Sequence, residues 1–391
     1  MAIYYDFDQV IDRRCSDCDK WRRYGADVLP LWVADMDFVS PEPVLRALHE
    51  RVDHGIFGYG TEPPELRQVV VERLARLYGW QVEPQALVFV PGVVTGFNMA
   101  CRAVTSPGDG ALVQTPVYPP ILKAPANARL TCDEMELSLQ PDGRYTIDFA
   151  AFEEAITDRT RIFILCNPHN PVGRVFRREE LERMAEICLR HDLVICSDEI
   201  HCDLLFQESR HVPIASLDPE VAERTITLIA PSKTYNIAGL HCSVAIIQNA
   251  ELRAQFKAAG AGLVPGVDVL GYVAGLAAYC YGEPWLEEVL CYLEANRDWL
   301  LQAVAAQLPG IRMGKPEGTY LAWLDCRQAA IPGNPYEFFL DKAKVGLSDG
   351  QDFGQGGAGF VRLNFGCPRA TLAEALDRMQ AALMKAALAI A

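Results

Sequence analysis

From about residue 45 to 280 the chain alternates short, continuous apolar runs with stretches of helical period, and this alternation constrains the fold most. "ALVFVPG" (Ala86–Gly92), "GDGALVQTPVYPP" (Gly108–Pro120), "RIFILCNPHNPVGR" (Arg161–Arg174), "LVICSDEIH" (Leu193–His201) and "RTITLIA" (Arg224–Ala230) each hold a strand-like run bounded by turn residues. Between two of them, "REELERMAEICLRHD" (Arg178–Asp192) sets Leu181, Met184, Ala185 and Cys188 on one helical face. Its acids come early and Arg190 and His191 late, as the helix dipole favours. Continuous apolar strands separated by helices predict an α/β fold, a parallel sheet covered on both faces. Ligands of such sheets bind beyond the carboxyl ends of the strands.

The pattern changes near residue 285. "PWLEEVLCYLEANRDWLLQAVAAQL" reads as one long helix, and "GTYLAWLDC" (Gly318–Cys326) and "GFVRLNFGC" (Gly359–Cys367) read as strands of a smaller α+β unit. The N-terminal stretch lacks a complete core of its own and is expected to join that unit. The expected division is therefore 1–45, 46–284 for the large domain and 285–391 for the small one. With 391 residues, half of them hydrophobic, the chain can fill two or three domain-sized units.

A formal net charge of −15 argues against nucleic acid and anionic membranes as partners. The N-terminus has early aspartates and no apolar centre, unlike a secretory signal. No run reaches the ~18 apolar residues of a membrane span. The 13 cysteines are scattered, many of them inside apolar stretches, which is cytoplasmic usage. Cys15 and Cys18 form one C-x-x-C pair, but no second pair follows nearby to complete a zinc site.

Several polar residues fall at strand ends. Val93 and Val94 open a helix after a strand, where free N–H groups hold anions. Tyr118, Asn167, Asn170 and Asp198 each follow or end a strand, with His201 three residues beyond Asp198. Lys233 ends the last run, in "IAPSKTYNIAGLH". A buried lysine there is tolerated if it is paired, if its pKa is depressed, or if its amine is used covalently. Taken singly, each residue has an ordinary structural role. Lys233 can snorkel, Asp198 can cap a helix, Tyr118 can fill a gap, and Asn170 can make a turn. Together they line one edge of the inferred sheet. Pyridoxal phosphate needs this set: a phosphate-holding helix start, an aromatic to stack on, an acid for its ring nitrogen and a lysine for its aldehyde.

"CNPHNPVGR", "SDEIHCDL" and "APSKTYNIAGL" stand in the order found in fold-type I pyridoxal-phosphate enzymes, with 35 positions from Asp198 to Lys233. The chain resembles that family, the aspartate aminotransferase superfamily. "LPLWVADMDF" (Leu29–Phe38), "FGYG" (Phe57–Gly60), "EANRDWL", "GTYLAWLDCR" and "FVRLNFGCPR" (Phe360–Arg369) resemble its cystathionine β-lyase or cysteine-S-conjugate β-lyase subgroup, the bacterial C–S lyases. The resemblance covers nearly the whole chain. It implies a large domain with a mostly parallel seven-stranded sheet between helices, plus a smaller α+β domain. It also implies a homodimer with active sites at the subunit interface.

By the same resemblance Lys233 is the Schiff-base lysine and the proton-transfer base, and Asp198 pairs with the pyridine nitrogen. Tyr118 stacks on the ring, and Asn170, with His201, holds the ring oxygen. Val93, Val94 and Ser232 hold the phosphate, and Tyr59 reaches the phosphate of the neighbouring subunit. Arg362 grips the substrate α-carboxylate, with the Ala34 backbone close by. Two positions depart from the common pattern. Ala230 replaces a small polar residue and His241 an arginine that binds phosphate in many relatives, which shifts weight to Ser232, Tyr59 and the helix start. The implied reaction is β-elimination from L-cystathionine or a related cysteine thioether. Transamination uses the same residues. A regulatory protein-binding role is a third reading.

Overall fold

The computed structural model describes residues 5–390. Seven strands build the main sheet: β1 (Leu87–Val90), β2 (Gly110–Thr115), β3 (Thr131–Glu136), β4 (Thr160–Cys166), β5 (Val194–Asp198), β6 (Thr225–Ile229) and β7 (Ser243–Ile246). Their spatial order is β1-β7-β6-β5-β4-β2-β3. All pairings are parallel except the two made by β7, which runs against both neighbours. The inner strands β2 and β6 are buried at every position, as strands covered on both faces must be. The edge strand β3 instead alternates and carries Asp133, Glu134 and Glu136. Charges on a free edge discourage pairing with another chain.

Two expected elements are shorter than their sequence pattern. The helix read over 178–192 ends at Arg190, and Asp192 then takes a positive φ of 57°. The strand read over 193–201 stops at Asp198, whose Oδ1 accepts the Ile200 N–H at 3.1 Å and turns the chain. Both ends are set by local backbone capping, which the apolar pattern does not encode.

A second sheet has the order β8 (Arg312–Met313), β9 (Leu321–Asp325), β11 (Phe360–Asn364), β10 (Ser348–Asp349). The helices Glu283–Gln307 and Arg369–Ile390 accompany it. Asn296, inside the first, is fully buried and donates to the carbonyls of Phe365 and Cys367. The N-terminal segment is tied here too. Leu29 and Pro30 pair in parallel with Val345 and Gly346, and Asn364 N–H donates to Leu31 O. Among the described residues no helix is long and apolar enough to cross a membrane.

Register decides what meets at the carboxyl edge. Cys166 lies opposite Asp198, and Asp198 opposite Leu228. The strands β4, β5 and β6 therefore end at nearly one level. The loops carrying Asn170, Asp198 and Lys233 emerge side by side.

Candidate active site

A cavity of about 710 Å³ opens at this edge. Lys233 lies in the single turn Pro231–Thr234 that follows β6. Its Nζ donates to Ala34 O at 2.6 Å. Burial pulls its pKa down to about 8; Asp35 opposes this, Arg362 reinforces it and Asp198 opposes it. An amine near 8 is deprotonated often enough at neutral pH to act as a nucleophile or base.

Asp198 is 3% exposed. Burial raises its carboxyl to about 7, against the Ile200 N–H bond that favours ionisation. Its neighbour Glu199 is engaged elsewhere, accepting from Ser197 Oγ and meeting His211 Nε2 at 2.7 Å. Of the two adjacent acids, Asp198 is the one that lines the cavity. His201 lines it too, with Nδ1 buried and unpartnered. Burial, with Lys233 and Arg362 nearby, pushes its pKa down to about 3, so the ring is neutral at physiological pH.

Arg362 sits in the middle of β11, opposite Trp323 on one side and Ser348 on the other. Only 4% of it is exposed. Its Nη1 donates to Asn170 Oδ1 at 2.9 Å, and its Nη2 to Trp32 O at 2.8 Å and Ser348 Oγ at 3.3 Å. Its Nε has no partner. Among the described residues no carboxylate lies within 4.0 Å of it. Burial lowers its pKa to about 10, although the Tyr118 and Tyr320 hydroxyls pull the other way. A buried guanidinium with neutral partners is costly by itself, and an incoming carboxylate would compensate that charge.

The cavity floor comes from the N-terminal segment. Asn364 Nδ2 donates to the carbonyls of Val33 and Asp35, each at 2.6 Å. Asn236 holds Met36 through both its N–H and its carbonyl. Beneath lies an ion cluster. Asp37 accepts from Lys20 Nζ at 2.7 Å and from Arg13 Nη1 at 2.6 Å, and Lys20 is fully buried. Removing one partner of such a buried pair costs about 3–5 kcal/mol, so this cluster fixes the loop that presents Ala34 O. Tyr320 OH reaches the same carbonyl at 3.0 Å.

At the other end of the cavity the helix Val93–Val104 begins. Its N-cap, Gly92, has φ 109°, a conformation open to glycine, and brings no side chain to cap the helix. The first backbone bond into the turn is Gly96 N–H to Gly92 O, which leaves the amides of Val93 and Val94 open. Gly96 also allows the helix close to the sheet, since a Cβ there would meet Leu228 Cδ2 at 2.8 Å. Ser232 and His241 line the same cavity, and His241 Nδ1 lies near Gly92. This is an anion cradle.

Ala34, Val93, Val94, Tyr118, Asn170, Asp198, His201, Ser232, Lys233 and Arg362 thus line one cavity. Tyr59 does not. It is fully exposed, in a segment without secondary structure. His241, left open by the sequence, borders Gly92 in a left-handed conformation at φ 48°. Cys18 precedes a short helix and accepts from Arg13 Nη2 at 2.7 Å, while Cys15 is exposed. Trp32, Ser348 and Tyr320 were not anticipated. Ser348 comes from a two-residue strand, and Trp32 acts through its backbone. Neither leaves a periodic signal. The donor set fits a flat, phosphorylated ring bearing an aldehyde: open amides for the phosphate, an acid, an aromatic and a reactive amine.

Residues 26–379 match the family model for aminotransferase class I and II. Cystathionine beta-lyase PatB of Bacillus subtilis (strain 168) is 42% identical over 390 residues, covering 97% of this chain and all of that protein. The crystal structure of OvoB superposes with a TM-score of 0.93 at 47% identity, covering 97% of this chain and 99% of that one. Cystalysin from Treponema denticola, whose crystal structure contains pyridoxal 5'-phosphate, gives 0.94 at 34% identity, covering 98% and 100%.

Proposed function

The chain belongs to the class I and II aminotransferase family, and from that premise we propose that it is a pyridoxal-phosphate-dependent C–S β-lyase. It cleaves L-cystathionine or a related cysteine thioether. With water, L-cystathionine gives homocysteine, pyruvate and ammonia. Full-length relatives named cystathionine beta-lyase or C–S lyase support the reaction type. The joint placement, in one cavity, of the Lys233 amine, the buried Asp198 carboxyl and the carboxylate-free Arg362 supports a pyridoxal-phosphate site for an α-amino acid, and the full-length lyase relatives carry the choice of elimination over transamination.

Bound pyridoxal phosphate supplies the electron sink that lets a carbon beside the amino group lose its proton. Lys233 would hold it covalently, Asp198 would face its ring nitrogen, and Tyr118 would stack on its face. Val93, Val94 and Ser232 would hold its phosphate. Asn170 and His201 offer polar contacts beside the ring. The chain's own work is then positional and acid–base. Arg362 orients the α-carboxylate, with the Ala34 backbone beside it. The Lys233 amine would take the proton from the substrate Cα, and the Cβ–S bond would break with its electron pair leaving on the thiolate.

The test is product analysis. Purified holoenzyme given L-cystathionine alone is expected to release pyruvate and homocysteine steadily. An aminotransferase would stop after one equivalent and resume only with an oxo acid, and that result would overturn the lyase reading.

Arg362→Ala is expected to lower kcat/KM for cysteine thioethers by roughly 100-fold or more, chiefly through KM, because a buried pair loses one partner. A surface cation would change it by less than about fivefold. Steady-state kinetics on the variant decides between the two.

We further read the enzyme as a homodimer in which Tyr59 acts on the neighbouring subunit's phosphate site. Its full exposure, together with the exposed Ile56 and Phe57 beside it, supports this. Mixing Tyr59→Phe with Lys233→Ala protein is expected to restore part of the activity through hybrid subunits. A fully active monomer in sedimentation would sink the idea. The divisions at about residues 45 and 284 belong to the same reading, supported by the Leu29–Pro30 ladder to Val345–Gly346. So does a cytoplasmic location, supported by 13 unpaired cysteines; recovery of the protein in a secreted fraction would count against it.

A further inference from the structure

Arg23 also lines the active-site cavity. Its guanidinium carbon lies 4.2 Å from the centre of the Trp32 ring and 5.6 Å from that of Tyr24. Stacking on indole holds a guanidinium in place while its N–H groups can still donate, and the adjacent Tyr24 hydroxyl is within their reach. Among the described residues no carboxylate lies within 4.0 Å of it, whereas its neighbour Arg22 is paired with Asp17 at 2.6 Å. Arg23 is thus a solvent-exposed cation, held at the cavity wall by its stacking on Trp32 and without a counter-ion.

Trp32 connects it to the other guanidinium of the site. The Trp32 carbonyl accepts from Arg362 Nη2 at 2.8 Å, and its ring carries Arg23. The indole is itself fixed, because Nε1 donates to Lys20 O at 3.1 Å. One residue therefore sets the spacing of two cations. Tyr24 is held behind it: its ring packs against Gly346, where a Cβ would come within 2.5 Å, and its hydroxyl lies 3.4 Å from that of Tyr336. Two acids, Asp349 and Asp352, line the same cavity. Asp349 is already engaged, accepting from Asn334 Nδ2 at 2.7 Å and from Gln351 N–H at 3.0 Å.

We propose that Arg23, stacked on Trp32, binds a carboxylate carried by the leaving thiol, so that the enzyme selects cysteine thioethers with an acidic leaving group. This rests on the lyase reading and deepens it: Arg362 takes the carboxylate at the α end of the substrate, and Arg23 takes the one beyond sulfur. The chemistry is a charge-assisted, two-pronged pair at a cavity wall.

Two probes of similar length separate this from a general effect: S-(2-carboxyethyl)-L-cysteine and S-butyl-L-cysteine. In Arg23→Gln holoenzyme the ratio of kcat/KM for the acidic over the neutral thioether is expected to fall about 10–100-fold, the loss of one charged hydrogen-bonded contact. Arg23→Lys is expected to recover part of that ratio. The dissociation constants of the same two amino acids, followed by the change in cofactor absorbance, should shift in the same direction. A ratio unchanged within threefold in Arg23→Gln, by rate and by binding, overturns the assignment. So does an equal loss for both probes. If wild-type protein binds both probes but releases pyruvate from neither, the lyase reading fails. The binding ratio alone then decides the role of Arg23.

Discussion

Lys233→Ala is expected to abolish turnover, with kcat down by at least about 10⁴-fold, the upper end for losing a positioned acid–base group. On the proposed reading the substitution removes two functions at once, the covalent tether and the base at Cα. The structure gives the reason for expecting so large an effect. The amine is held by Ala34 O at 2.6 Å in a buried pocket that brings its pKa to about 8. No other lysine lines the cavity, so none of the described residues supplies a substitute amine. Borohydride treatment of the wild-type holoenzyme, followed by peptide mapping, should place the cofactor on Lys233. A label on any other lysine would overturn the assignment, as would a variant retaining a tenth of the rate.

Asp198 is expected to give the second-largest effect. Asp198→Asn keeps an oxygen able to accept the Ile200 N–H, so the turn after β5 survives. What it loses is the negative charge. A preorganised charge in a buried site is worth about 10²–10³-fold in rate, and kcat for pyruvate release should fall by that much. Cofactor affinity should change far less, because the groups proposed to hold the phosphate, at Val93, Val94 and Ser232, are separate from this carboxyl. The carboxyl stands at about 7 because burial raises it; a cationic ring nitrogen beside it would favour the ionised form. Near-normal kcat in Asp198→Asn would reduce the residue to a backbone cap.

The strand-ending residues were legible in the sequence because each sits where an apolar run stops. Asn170, Asp198 and Lys233 could be named before any coordinates, as could Arg362 through the resemblance of "FVRLNFGCPR". The supporting groups were not legible. Trp32 contributes a carbonyl and a ring, Ser348 belongs to a strand of two residues, and Arg23 follows a one-turn helix. No period or spacing marks such positions, since their roles come from tertiary contacts, some of them more than 300 residues apart, as between Trp32 and Arg362.

The sequence by itself pointed to a parallel sheet covered on both faces and to polar residues at the carboxyl ends of its strands. Apolar runs buried on both faces leave few other arrangements, and a strand's carboxyl end is the place where its loop can reach a ligand. Tertiary structure alone decided three things. It set the level at which those loops emerge, through the Cys166–Asp198–Leu228 register. It brought Ala34 under Lys233 by strapping the N-terminal segment to Asn236 and Asn364. It also left Arg362 and Arg23 without carboxylates on the two sides of Trp32. For the buried Arg362 the lack of a counter-ion is costly, whereas the exposed Arg23 is held by its stacking on the Trp32 ring; only the folded chain defines either environment.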